Sequence, residues 1–201
     1  MPRKKKPAIK HGPPARKPNR EVRTREHLTS GEVEQLRRAA SRLGRNGHRD
    51  STMILLAFRH GLRCAELVSL RWDQIDFDRR VIFVGRKKRG KPSTHPLTRT
   101  ELAALRKLPG FGERRGPIFT SERKAPLSER SFHHVVARAG REAGLNFAVH
   151  PHMFRHACGY ELANQGRDTR AIQDYLGHSN IQHTVRYTEL ASNRFEGFFE
   201  D

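Results

Sequence analysis

The chain has 201 residues, with 40 Lys+Arg against 21 Asp+Glu and a formal charge of +19, a long-range attraction for a polyanion such as nucleic acid. That length fits one domain with a tail, and 35% hydrophobic content leaves material for a core. No apolar run approaches the roughly 20 residues of a membrane-spanning helix, which argues against a membrane partner. The basic N-terminus lacks the apolar stretch of a secretory signal. Two cysteines, Cys64 and Cys158, have no metal-type spacing and fit a reduced, cytoplasmic protein.

Residues 1–27 hold ten Lys/Arg, two Glu and five Pro, so +8 of the charge sits there and +11 remains on the rest. Such a segment cannot bury enough apolar surface to fold alone, and it is expected to be a disordered tail, either grasping nucleic acid or simply solvated. From residue 28 the pattern changes. Thr29 and Glu32 form a capping box ahead of Val33, Leu36, Ala40 and Leu43 at helical spacing, with Gly44 or Gly47 as the stop. A second helix is predicted from about Asp50 to Gly61, apolar nearly all round and so central to the core. A third begins near Arg63 with Ala65, Leu67, Val68 and Leu70. Ile75-Asp76-Phe77, Val81–Val84 and Ser93–Leu97 read as three antiparallel strands, the last an edge strand because it contains Pro96. Between the second and third lies a basic turn, Arg86, Lys87, Lys88, Arg89 and Lys91, suited to phosphate contact. A second capping box, Thr98 with Glu101, opens a helix carrying Leu102, Leu105 and Leu108. Residues 109–117 form a loop, and a further helix follows Ser128 with Phe132, Val135, Val136 and Ala139. The fold class is mainly α with one small antiparallel sheet, an α+β arrangement without internal repeats.

The stretch from Val149 to Thr188 carries the chemistry. His152 and Arg155 are three apart and share a helical face behind Pro151, which suits a first turn. His178 follows Leu176-Gly177, a helix end closed by glycine. Tyr187 stands nine residues later, between Arg186 and Thr188. His150, His152 and His156 could be taken for a metal set, but no carboxylate or cysteine accompanies them and Arg155 would repel a cation. A structural set of satisfied histidines is the other reading. A guanidinium, imidazoles and a phenol together suit attack on a phosphodiester, with tyrosine as nucleophile and no metal or other cofactor.

Arg63 in G-L-R-C-A-E-L-V-S-L-R-W, Lys88 in the hairpin, His152-Met-Phe-Arg155-His156, Leu176-Gly177-His178 and Tyr187 resemble, in order and spacing, the signature of the tyrosine recombinase (phage integrase) family. The likeness covers about residues 28–190. Within that family, H-P-H-M-F-R-H-A-C-G-Y, D-T-R-A-I-Q-D-Y-L-G-H and S-T-H-P-L are similar to motifs of the small invertases that switch type 1 fimbriae. The resemblance implies the recombinase catalytic-domain fold, without the helical core-binding domain of larger members. It implies site-specific recombination of double-stranded DNA — inversion, integration or excision — through a 3′-phosphotyrosyl link at Tyr187. Arg63, Arg155 and His178 would hold the phosphate, a role that suits planar bidentate donors. His152 would be the base for the phenol, Lys88 the acid for the 5′ oxygen, and Glu66 an acid supporting Arg63. His156 and Trp72 are assigned to packing or support, and Tyr160 and Tyr175 to the core. Partners implied are a homotetramer on paired sites, architectural DNA-bending proteins and a nucleoid location. Competing readings are a silent DNA-binding regulator of the same fold and a type IB topoisomerase-like nicking enzyme. Residues 191–201 are expected to form a short helix, capped at Ser192 or Asn193, that presents Phe195, Phe198 and Phe199 to a neighbouring protomer.

Overall fold

Helix α1, Ser30–Arg42, begins at its capping box: Thr29 Oγ1 accepts from the Glu32 backbone N–H, and the Glu32 carboxylate accepts from the Thr29 N–H at 2.8 Å. The computed structural model describes residues 25–86 and 90–191. The basic tail through residue 24, Lys87, Lys88 and Arg89 of the hairpin, and the segment 192–201 expected to form the terminal helix lie outside the described residues.

Helix α1 buries Val33, Leu36, Ala39 and Ala40, and the chain then turns at Gly44, whose φ of +68° is a left-handed conformation glycine adopts without strain. Helix α2, Gly47–Arg59, starts earlier than the sequence suggested, with Asn46 at its N-cap position but without a side-chain capping bond. Every residue from Asp50 to Phe58 is buried, so α2 is the central helix. Each of its buried Met, Ile and Leu side chains contributes about 1.5–3 kcal/mol of transfer free energy. Against it pack α1, α4 (Arg99–Arg106) and α6 (His152–Asn164). The short α3, Cys64–Val68, leaves α2 through Gly61-Leu62-Arg63.

A 3-10 turn at Trp72–Gln74 leads into a three-stranded antiparallel sheet, β1 (Ile75–Asp76), β2 (Val81–Val84) and β3 (Ser93–Pro96), in that spatial order. The register pairs Ile75 with Ile82 and Ile82 with His95, while Pro96 opposes Val81 on the edge strand. Phe77 falls just outside β1; it packs against Trp72 and Phe111 instead, which puts Trp72 in the core. Helix α4 carries the second capping box, Thr98 with Glu101. Helix α5, Glu129–Glu142, is capped by Ser128 and lies on α1.

The last three helices build the site. Helix α6 is buried from Met153 to Gly159 and packs on α2. Helix α7, Thr169–Leu176, is capped by Asp168 and stopped by Gly177 at φ +65°. Helix α8, Gln182–Glu189, was not marked in the sequence reading; it packs on both α6 and α7 and carries Tyr187. No helix among the described residues is long and apolar enough to cross a membrane.

Candidate active site

Arg63, His152, Arg155, His178 and Tyr187, drawn from four separate segments, line one cleft of about 460 Å³. The remaining described lining residues are His156, Gln182, His183 and Arg186, and none is acidic. A larger cleft, about 610 Å³, lies between the α1–α2 turn and α5. Three of its arginines are engaged locally: Arg45 with Glu122, Arg49 with Asp50, Arg138 with the Leu43 carbonyl. Its Ser131 hydroxyl pairs with Ser128 rather than with the neighbouring His134, so the smaller cleft is the stronger chemical candidate.

Arg63 is the N-cap of α3. Its backbone N–H donates to Glu66 Oε2 at 3.0 Å and its Nη1 donates to Oε1 at 2.8 Å, so the buried carboxylate orients both main chain and guanidinium. Both oxygens of Glu66 are thus hydrogen-bonded to Arg63.

Arg155 is 1% exposed. Its Nη1 donates to the Gly61 carbonyl at 2.6 Å and its Nη2 to the Leu176 carbonyl at 2.7 Å, tying α6 to the turn after α2 and to the end of α7. Burial, then the charges of Arg63 and Arg86, lower its pKa to about 10, which still leaves it charged at neutral pH.

His178 follows the left-handed Gly177 and is buried, with Nδ1 2.8 Å from Thr184 Oγ1. Burial, then Arg155 and Arg63, push its pKa down to about 3, so the imidazole is neutral in the free protein.

Tyr187 is 1% exposed. Its ring meets Tyr160 edge-on at 4.9 Å between centroids and lies above Gly159, with the Arg186 guanidinium 5.2 Å from its centre. Its hydroxyl lies 2.9 Å from His156 Nδ1. Burial raises the phenol's pKa above its usual value, and the charges of Arg186 and Arg155 oppose that shift.

Three sequence assignments change. His156, assigned to packing or support, is the imidazole bonded to the phenol; His152, expected there as the base, is exposed and sets its ring edge-on against His156 at 4.4 Å. The two are one helical turn apart, so spacing alone could not decide between them. Arg86, expected to contact DNA, has a fully buried side chain paired with Glu66. Lys91 is exposed. Arg186 was passed over as a flank of Tyr187, yet it lies against both the phenol ring and His156, with Nη2 2.5 Å from Nδ1 and 3.0 Å from Nε2. Burial, then His152, Arg186 and Arg155, push His156 down to about 2. Thr184 and Gly159 were also missed. A glycine in the middle of a helix costs about 1 kcal/mol against alanine, and that cost was the available signal for Gly159.

A cleft rimmed by guanidiniums and imidazoles, free of carboxylates, is suited to stabilising negative charge building on a phosphoryl group. Tyr187 brings a phenol to the same cleft. The family model described as the phage integrase family matches residues 26–194. The chain belongs to the phage integrase family. Among curated members, it is 41% identical to the type 1 fimbriae regulatory protein FimB of Escherichia coli K12 over 181 residues, covering 88% of this chain and 90% of that one. To FimE of the same strain it is 43% identical over 182 residues, 88% of this chain and 91% of that one. To the tyrosine recombinase XerA of Pyrococcus horikoshii it is 30% identical over 177 residues, 86% and 60% of the two chains. Two solved structures share the integrase-family fold. A crystal structure of XerA recombinase matches with a TM-score of 0.72 at 24% identity, over 84% of this chain and 62% of that one. The post-cleavage complex of XerH recombinase on a palindromic difH substrate matches with a TM-score of 0.72 at 21% identity, over 85% and 51%. The chain thus spans half to two thirds of those two recombinase structures.

Proposed function

We propose that this chain is a site-specific tyrosine recombinase that breaks and rejoins double-stranded DNA through a phosphotyrosyl intermediate at Tyr187. The observation that carries the reading is the convergence of Arg63, Arg155, His178 and Tyr187 on one acid-free cleft. In support, the similar XerH structure is a complex with its DNA substrate after cleavage, and FimB and FimE are similar along nearly their whole length.

The cleft's geometry and the family resemblance together support the following step. The phosphodiester enters between Arg63 and Arg155, whose donors take the non-bridging oxygens, and His178 adds a third. Tyr187 Oη attacks phosphorus. The phenol is protonated at neutral pH, so its proton must leave as the P–O bond forms, and neutral His156 Nδ1 at 2.9 Å is placed to take it. The incoming phosphate adds negative charge beside His156 and so raises its basicity. His152 then stands at the rim, behind His156. The bond to the 5′ oxygen breaks, Lys88 supplies that oxygen's proton, and the 3′ phosphate remains on Tyr187. Attack by a 5′ hydroxyl reverses each step. The covalent link conserves the bond energy, so neither ATP nor metal enters. Exchange between paired sites takes a homotetramer, assisted by architectural DNA-bending proteins in the nucleoid. Inversion, integration or excision is set by where the sites lie.

The test uses duplexes selected from genomic DNA by binding, then nicked near the mapped cleavage position so that rejoining is prevented. Wild-type protein forms a covalent adduct that resists denaturation. Tyr187→Phe binds with unchanged affinity and forms none, because the phenol oxygen is the nucleophile. Adduct persisting in that variant moves the nucleophile elsewhere; absence of adduct in wild type leaves a silent DNA-binding regulator.

A further inference from the structure

Arg86 opens the basic run of the β2–β3 hairpin, yet its side chain faces the interior and is 0% exposed. A buried guanidinium is costly unless its charge and most of its donors are matched; Arg86 Nε is buried without a partner, and both Nη groups are engaged. Arg86 Nη1 donates to Glu66 Oε2 at 3.0 Å and to the Gly61 carbonyl at 3.4 Å. Its Nη2 donates to the carbonyls of His60, at 3.2 Å, and Tyr175.

Three of these four acceptors lead to phosphate-facing groups. The other oxygen of Glu66 holds Arg63 Nη1, so one carboxylate is bridged between two guanidiniums. The Gly61 carbonyl is shared with Arg155 Nη1. Tyr175 and Leu176 are the last residues of α7, and their carbonyls are taken by Arg86 and Arg155 respectively. Two cations thus sit on the partial negative charge at that helix end. Gly177 comes next, and a Cβ there would lie 2.7 Å from Arg86 Cγ, so glycine leaves room for the arginine stem just before His178. Arg86 itself does not line the cleft.

We infer that Arg86 is a positioning residue for DNA cleavage: one buried guanidinium fixes Arg63, Arg155 and the His178 turn relative to one another. The inference rests on the recombinase reading above. Lysine cannot replace it, because a single ammonium cannot span a carboxylate and three carbonyls in one plane.

The test compares Arg86→Lys and Arg86→Met with wild type on two nicked substrates. One carries the natural scissile phosphodiester. The other carries a methylphosphonate there, in which a methyl group replaces one charged oxygen and so removes most of the need for the arginine clamp. On the phosphodiester, single-turnover cleavage by Arg86→Lys is expected to fall at least about 30-fold, a fraction of what losing a whole preorganised donor costs. DNA affinity stays within about 3-fold, since other cations hold the backbone. On the methylphosphonate the deficit should shrink to less than about 3-fold, because the charge the clamp opposes is gone. Equal slowing on both substrates would make Arg86 ordinary structural support and overturn the inference. So would affinity falling in parallel with rate, which marks a phosphate contact, or a rate that does not fall. Should both variants melt below the assay temperature, Glu66→Gln, which keeps the shape and removes the bridging charge, must show the same substrate dependence, and its absence also overturns the inference. A wild-type protein that forms no adduct refutes the recombinase reading itself, a result the wild-type lanes report separately from the variants.

Discussion

Gly159 lies in α6 directly under the ring of Tyr187, and it should be the residue that seats the nucleophile. An added Cβ would lie 2.5 Å from Cε2, 2.7 Å from Cδ2 and 2.8 Å from Cζ of that ring. Carbon atoms rest at about 3.5–4.0 Å, so the ring would have to retreat by roughly 1 Å. A displacement of that size costs about 100-fold in rate when it moves a reacting group. Its cost in stability is smaller. Overpacking costs about 1–3 kcal/mol, and alanine recovers up to about 1 kcal/mol over glycine inside a helix. Gly159→Ala should therefore lose about 100-fold in adduct formation while its stability falls by no more than about 2 kcal/mol. Single-turnover cleavage and denaturant melts on the same samples measure both. Gly140→Ala is the comparison: its Cβ would press on Val149 at 3.0 Å, in α5 and outside the cleft, so cleavage should persist. A Gly159→Ala protein that gains stability and cleaves at the wild-type rate would refute the seating role.

Two further outcomes follow from the same contacts. Arg155→Ala leaves the Gly61 and Leu176 carbonyls without that donor, so it should lose roughly 2–6 kcal/mol of stability and at least about 100-fold in cleavage; wild-type resistance to denaturant would contradict this. Burial, together with nearby positive groups, lowers His95, His156 and His178 to about 3, about 2 and about 3. The unfolded chain binds their protons near pH 6.5, so their contribution is complete above that pH and is lost as pH falls toward the folded values. With three such groups, stability should fall by up to about 4 kcal/mol per pH unit near pH 5, and a flat profile from pH 7.5 to 5 would exclude neutral burial.

Local signals were the legible ones. The capping boxes at Thr29 and Thr98 stood in the sequence because each is a contact between residues three apart. Gly177 was legible for the same reason, since a left-handed stop is a single-residue property. Motif resemblance supplied five cleft residues, Arg63, His152, Arg155, His178 and Tyr187, that no propensity would have grouped. The misreadings share a cause of the opposite kind. Arg86 was classed with its charged neighbours, yet its side chain is claimed by Glu66 and Tyr175, 20 and 89 residues away. His156 and His152 are equivalent until α8 packs across α6 and sets the phenol against one of them. Helix α8 has few apolar residues and no side-chain cap, so its helicity depends on the surface it lies on.

The anchors of Arg155 are all main-chain: it binds the carbonyls of Gly61 and Leu176, whatever side chains those positions carry. Every residue type has a carbonyl, so substitution at the end of α7 cannot delete the anchor; it can only crowd it. Outward positions such as Arg170, Ala171 and Asp174 are exposed and can drift without disturbing the guanidinium behind them. Divergence in this helix is thereby uncoupled from chemistry. A lineage can alter its outer surface step by step while the reaction centre is inherited intact.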